Sequence, residues 1–133
     1  MKRIILNADD FGRHKCINEA ILKGVTQGCL RSASLMAVGP AFDDAVHICH
    51  EHPELGTGLH LTLIDGRPVL PADEIPSLVT AAGCFYADHN AFLKQFLRGR
   101  VRLDDIRREL TAQLQKMQAA GLQPDHIDSH QHM

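Results

Sequence analysis

No stretch of this sequence approaches the apolar length needed to cross a bilayer. The N-terminus carries no secretory leader pattern, because the apolar run at residues 4–6 is too short and acids follow at once. No basic stripe is present and the formal net charge is -2, which argues against nucleic acid and membrane surfaces as partners. Cys16, Cys29, Cys49 and Cys84 show no CxxC spacing. They read as reduced thiols of a cytoplasmic protein rather than as a disulfide framework. A GxGxxG turn after the first strand and a GxxxxGK[ST] loop are both missing, so nucleotide binding gains no support. Internal repeats and low-complexity linkers are absent too.

What remains is an ordinary globular composition: 133 residues, 44% apolar and 23% charged, enough for a single domain with its own core. Histidine stands out, with nine in the chain and three in the last eight residues. The apolar residues 4–6 predict a buried strand that runs into Asn7, Ala8 and the adjacent acids Asp9 and Asp10, with Gly12 beyond. Unpaired charge is costly to bury, so acids at the end of a core strand usually face a cleft, a metal or a cation.

The pattern then alternates. Ile17, Ala20, Ile21, Gly24 and Val25 share a helical face, with Gly28 as the stop. Residues 32–38 predict a second strand ending at Gly39-Pro40. Residues 41–51 predict a helix burying Phe42, Ala45, Val46 and Cys49, with His47 and His50 on its solvated side and His52 solvated beside Pro53. A third strand over 56–64 puts Leu59, Leu61 and Leu63 on one face and His60 and Thr62 on the other. Residues 65–87 read as an irregular loop of the kind that carries substrate contacts, with Arg67, the cation placed near the strand end, as a candidate substrate-binding residue; an ordinary surface arginine is the plainer reading. Asp88 caps a short helix through Phe92 and Phe96. Residues 103–120 form the clearest helix, with Leu103, Ile106, Leu110, Leu114 (or Gln113 beside it) and Met117 as its buried stripe and an Asp104–Arg108 pair. Residues 126–128 form a last short strand, followed by Ser129-His130-Gln131-His132. The order β-α-β-α-β-loop-α-α-β predicts parallel strands in an α/β fold, either an open doubly wound sheet or part of a (β/α) barrel.

Three chemical groups fall at or near strand carboxyl ends: Asp9 with Asp10, His60, and His130 with His132. On one barrel rim, a carboxylate and two imidazoles make a three-ligand set with open positions, as a hydrolytic metal requires. A second carboxylate beside the first supplies a base. Both acids reach one site only if the chain turns at Asp9-Asp10, since neighbouring strand residues face opposite ways. The competing reading has the acids capping the first helix, His60 hydrogen-bonded in the core and the last histidines in a disordered tail.

Asn7-Ala-Asp-Asp-Phe-Gly12, Gly58-Leu-His-Leu61 and His126-Ile-Asp-Ser-His-Gln-His132, in that order, resemble the YdjC-like carbohydrate deacetylase family, which includes the chitooligosaccharide deacetylases. Ser32-Ala-Ser-Leu-Met36 and Asp65-Gly-Arg-Pro-Val-Leu-Pro71 are similar to its hopanoid-biosynthesis-associated branch. The resemblance covers essentially the whole chain. It implies the N-terminal half of a distorted (β/α) barrel of the glycoside hydrolase/deacetylase kind. It also implies removal of N-acetyl groups from an amino sugar or glycolipid with one divalent metal ion, Mg or Zn. By motif position, Asp10, His60 and His130 would hold the metal and Asp9 would activate water. His132 would be a lesser contact in the site. The family motif normally carries one more His, and members are about twice as long. The chain therefore reads as a truncated or proteolysed product, or as a half-barrel whose open face a second copy covers, with the general acid beyond residue 133. A catalytically incomplete metal-binding fragment and a metallo-phosphoesterase are the alternatives.

Overall fold

A computed structural model describes Lys2 and residues 4–132. Its elements in chain order are β1 (Asn7–Phe11), α1 (Lys15–Thr26), β2 (Ser32–Leu35), α2 (Phe42–Glu51), β3 (Gly56–Leu61), α3 (His89–Leu97), α4 (Leu103–Ala119) and β4 (Ile127–Ser129), with a short 3-10 turn at His130–His132. The four strands form one all-parallel sheet in the order β1-β2-β3-β4. The α/β expectation and the parallel strands are therefore met, and the sheet is open at β1 and β4. No described helix is long and apolar enough to cross a membrane.

One face of the sheet carries the core. Alternation puts Ala33 and Leu35 of β2 and Leu59 of β3 on that face. They are buried against Ile21 and Val25 of α1, Phe42, Ala45 and Ile48 of α2, and Met117 of α4. The opposite face is polar: Asn7, Ser32, Ser34, His60 and Asp128 lie on it. A second apolar cluster sits under the long loop and α3, formed by Ile64, Ile75, Leu78, Phe85, Phe92 and Val101.

Two expectations fail here, the second in part. The apolar run at residues 4–6 is not the first strand. Pairing begins at Asn7, opposite Ser32, and Ile4, Ile5 and Leu6 are exposed. Apolar character alone does not make a strand; a partner must reach that register, and β2 starts too late to do so. The expected buried side of α4 is met only in part: Met117 and Gln113 are buried and Ile106 and Leu114 pack against the two clusters, but the rest differs. Leu103 is 71% exposed, while Asp105, Glu109 and Gln113 are buried beside Ala112 and Met117. The stripe is polar because the loop lying on it brings backbone donors that must be met. Glu109 accepts from the amides of Val69 (2.9 Å) and Leu70 (3.0 Å). Gln113 bonds both the amide (3.0 Å) and the carbonyl (2.7 Å) of Thr62. Asp105 accepts from the amide and hydroxyl of Ser77. One residue per helical turn thus anchors one segment of the loop. The Asp104–Arg108 pair is present at 3.4 Å.

The turns at the carboxyl ends are tied together as well. Asn18, fully buried on α1, accepts from the Gly12 amide (2.8 Å) and donates to the Ala41 carbonyl (3.0 Å) and Asp44 (2.7 Å). Gly39 lies so close to Gly12 that an added Cβ would stand 2.2 Å from the Gly12 carbonyl oxygen. The loops after β1 and β2 are therefore held edge to edge.

Burial raises the pKa of the Asp105 carboxyl, but hydrogen bonds from Ser77, Arg108 and Arg102 outweigh it and bring the value from 3.8 to about 2. Folding lowers this pKa, so its contribution is fully present above about pH 4 and disappears as the pH falls through about 2. Its size is roughly 2 kcal/mol. Urea unfolding followed across that window should show this loss in the wild type, and Asp105→Asn should remove that part of the acid dependence.

Candidate metal centre

The centre begins with a backbone irregularity. The register between β1 and β2 shifts between Ala8 and Phe11, and Asp10 lies in the left-handed region with φ 61°. Such a bulge breaks strict alternation and re-aims a side chain. The turn required at Asp9-Asp10 is thus present, and it aims both acids toward His60. A non-glycine residue at positive φ is uncommon, though aspartate tolerates it better than most. Neither acid caps α1; that position belongs to His14, whose ring nitrogen accepts from the Cys16 amide.

Asp10, His60 and His130 converge. Their candidate ligand atoms lie within 4.8 Å of one another. Asp10 Oδ1 is 2.9 Å from His130 Nδ1 and 3.4 Å from His60 Nε2. His60 is 2% exposed and His130 4%. Their rings meet edge to face with centroids 5.5 Å apart. Asp10 Oδ1 is itself buried and makes no hydrogen bond among the described residues. Its approach to His130 Nδ1 is close without the alignment of a hydrogen bond, and a cation shared with the two imidazole nitrogens would satisfy this buried oxygen. The donor set of one oxygen and two nitrogens suits a divalent transition-type ion. The other carboxylate oxygen, Oδ2, accepts from Arg13 (3.2 Å), whose second terminal nitrogen bonds Asp65 (2.5 Å).

Asp9 is exposed at the edge of this cluster, with Oδ1 accepting from the Asn7 side-chain amide at 2.9 Å. It forms a second group of candidate ligand atoms with His60 and Asp128, again within 4.8 Å. His132 is exposed, follows Gln131 in left-handed backbone (φ 53° and 59°), and joins neither group. Arg67 is exposed on the loop after β3; the guanidinium that reaches Asp10 is that of Arg13.

The sequence reading passed over Arg13, Asp128, Ser34 and Asn7. Asp128 stands directly opposite His60 in the β3–β4 register and meets its Nδ1 at 2.6 Å. The Ser34 hydroxyl donates to the other Asp128 oxygen (2.6 Å), lies 3.1 Å from His126 Nε2, and accepts from Asn7 (2.8 Å). Burial pushes the Asp128 carboxyl up, but Ser34 and His60 outweigh it and hold it below the ordinary carboxylate value. A period-two signal was available: His126, Asp128 and His130 occupy alternate positions, as one face of a strand requires. Gly58 leaves the space that His126 fills, since a Cβ there would lie 2.3 Å from His126 Nε2.

A parallel α/β sheet that groups one carboxylate and two histidines beside its strand ends offers a possible metal-binding site. The sequence model of the YdjC-like protein family matches residues 3–133, and the chain belongs to that family. It is 43% identical over 129 residues to a carbohydrate deacetylase of Geobacillus stearothermophilus, covering 97% of this chain and 49% of the relative. It is 41% identical to a carbohydrate deacetylase of Listeria monocytogenes serotype 4a, covering 96% and 51%. A solved structure from Enterococcus faecalis V583, provisionally described as a cellobiose-phosphate cleavage protein, superposes with a TM-score of 0.86 at 33% identity. That match covers 97% of this chain and 48% of the other. The chain thus spans about half the length of the curated relatives it matches, as a partial barrel would.

Gly58→Ala should push the His126 ring away from Ser34 and destabilise the fold by about 1–3 kcal/mol, the usual penalty of overpacking. Urea denaturation measures it; an unchanged midpoint would show that the polar face yields without resistance.

Proposed function

We propose that this one-domain chain carries the metal-binding half of a carbohydrate N-deacetylase site. Asp10, His60 and His130 would hold one divalent ion, and the bare, buried Asp10 Oδ1 between two imidazoles is the observation that carries the reading. Two imidazoles favour Zn over Mg. A bound ion would supply Lewis acidity toward an acetamide carbonyl and a more acidic water.

The chain's own groups do the rest. Arg13 neutralises the outer oxygen of Asp10 and, through Asp65, ties it to the loop after β3. Asn7 fixes the Asp9 carboxylate, leaving it able to take a proton from water attacking the acetyl carbon. A cleft of about 210 Å³, lined by Arg13, Met36, Val38, Pro40 and Asp65 among others, opens beside the Arg13–Asp65 pair. We assign the N-acetylated sugar to it, whether the sugar is free or part of a glycolipid. The exposed Ile4, Ile5 and Leu6 beside β1, and Ile127 on β4, are where we seat a second copy of the chain. Light scattering should then report a dimer, and a monodisperse monomer would overturn that assignment.

The decisive experiment separates metal from proton transfer. Asp10→Ala and His60→Ala should abolish bound Zn or Mg by metal analysis. Asp9→Asn should retain the metal and lose roughly 10²–10⁴-fold in release of acetate from an N-acetylglucosamine oligomer. The assay belongs on this chain and on a barrel-length relative together, because activity in the relative alone would identify the chain as catalytically incomplete. Full activity of Asp9→Asn would sink the role given to Asp9.

A further inference from the structure

We infer that Asp128 is the positioning residue of this centre: it holds the Nδ1 proton of His60 so that Nε2 is left as the lone pair facing Asp10 and His130. The inference rests on the metal reading above but is carried by separate geometry. His60 and Asp128 are register partners on adjacent parallel strands, and their Nδ1–Oδ1 distance is 2.6 Å. An ionised carboxylate only accepts, so the imidazole must donate there. In the tautomer with its proton on Nδ1, Nε2 carries the lone pair, and this is the atom that lies 3.4 Å from Asp10 Oδ1. At 2.6 Å the two atoms are spaced as donor and acceptor rather than as two ligands of one ion.

Proton bookkeeping along the polar face supports the same direction. Ser34 is fully buried and has one hydroxyl proton. The hydroxyl gives it to Asp128 Oδ2 at 2.6 Å and accepts from Asn7 Nδ2 at 2.8 Å, with His126 Nε2 3.1 Å away. Asp128 is thereby fixed through both oxygens, one on Ser34 and one on His60. The same Asn7 amide also bonds Asp9. A single hydroxyl on the second strand therefore joins the carboxylate that orients His60 to the one proposed as base. Partners of this kind set the tautomer and ring orientation of a metal-binding histidine, and their loss commonly weakens metal binding 10–100-fold.

The test reads tautomer and affinity separately. Nitrogen-15 NMR of the metal-free protein at about pH 8, where an ordinary imidazole is neutral, should show a His60 Nδ1–H protected from exchange. Asp128→Ala should lose that signal and bind Zn roughly 10–100-fold more weakly by calorimetry. Asp128→Asn, which can still offer an amide oxygen, should keep the Nδ1–H and lose less affinity. An Asp128→Ala protein with the Nδ1–H signal and Zn affinity of the wild type would overturn the inference. Should that variant fail to fold, Ser34→Ala decides: faster Nδ1–H exchange with weaker Zn binding supports the role, and no change in either refutes it. A wild type that binds no Zn would defeat the metal reading instead, while the tautomer measurement would still judge Asp128.

Discussion

Neighbouring residues of a β-strand face opposite sides, yet Asp9 and Asp10 both come within 4.8 Å of His60. The left-handed backbone at Asp10 resolves the conflict, and much of the surrounding structure keeps it in place. Asn18 receives the Gly12 amide just beyond the bulge. Gly39 closes against the Gly12 carbonyl. Arg13 grips the carboxylate from outside while His60 and His130 face it from within. A conformation that is unfavourable by itself persists because its surroundings over-determine it.

The same logic explains why buried polar groups are tolerated so widely in this molecule. Glu109, Gln113 and Asp105 are buried because each meets donors that the loop after β3 would otherwise bury unmatched. That loop carries Asp65, the partner of Arg13, which in turn touches Asp10. A helix that reads as scaffold therefore reaches the centre through two ion pairs and a loop.

Much of this was legible in the sequence. Alternating periodicity located the helices and the later strands to within a few residues, and it placed Asp9 with Asp10, His60, and His130 with His132 at strand ends; the choice of Asp10, His60 and His130 among them came from the family resemblance. Three things were not legible, each for a physical reason. Residues 4–6 have the composition of a strand but no partner in register. The buried side of α4 follows the backbone donors of a loop, which hydropathy does not encode. The pairing of Arg13 with Asp10 depends on the turn after the bulge, a geometry that spacing alone cannot supply.

The fourth strand has a consequence for how the molecule assembles. It is three residues long, it pairs with β3 among the described residues, and it presents both Asp128 and, just past its end, His130. Its partners lie far away in sequence, so it must wait for a long loop to close before its contacts reward it. Closing that loop, 68 positions between His60 and Asp128, is what brings Asp128 and His130 to the sheet. An ion held by Asp10, His60 and His130 would tie β1, β3 and the turn after β4 together across a strand of three residues.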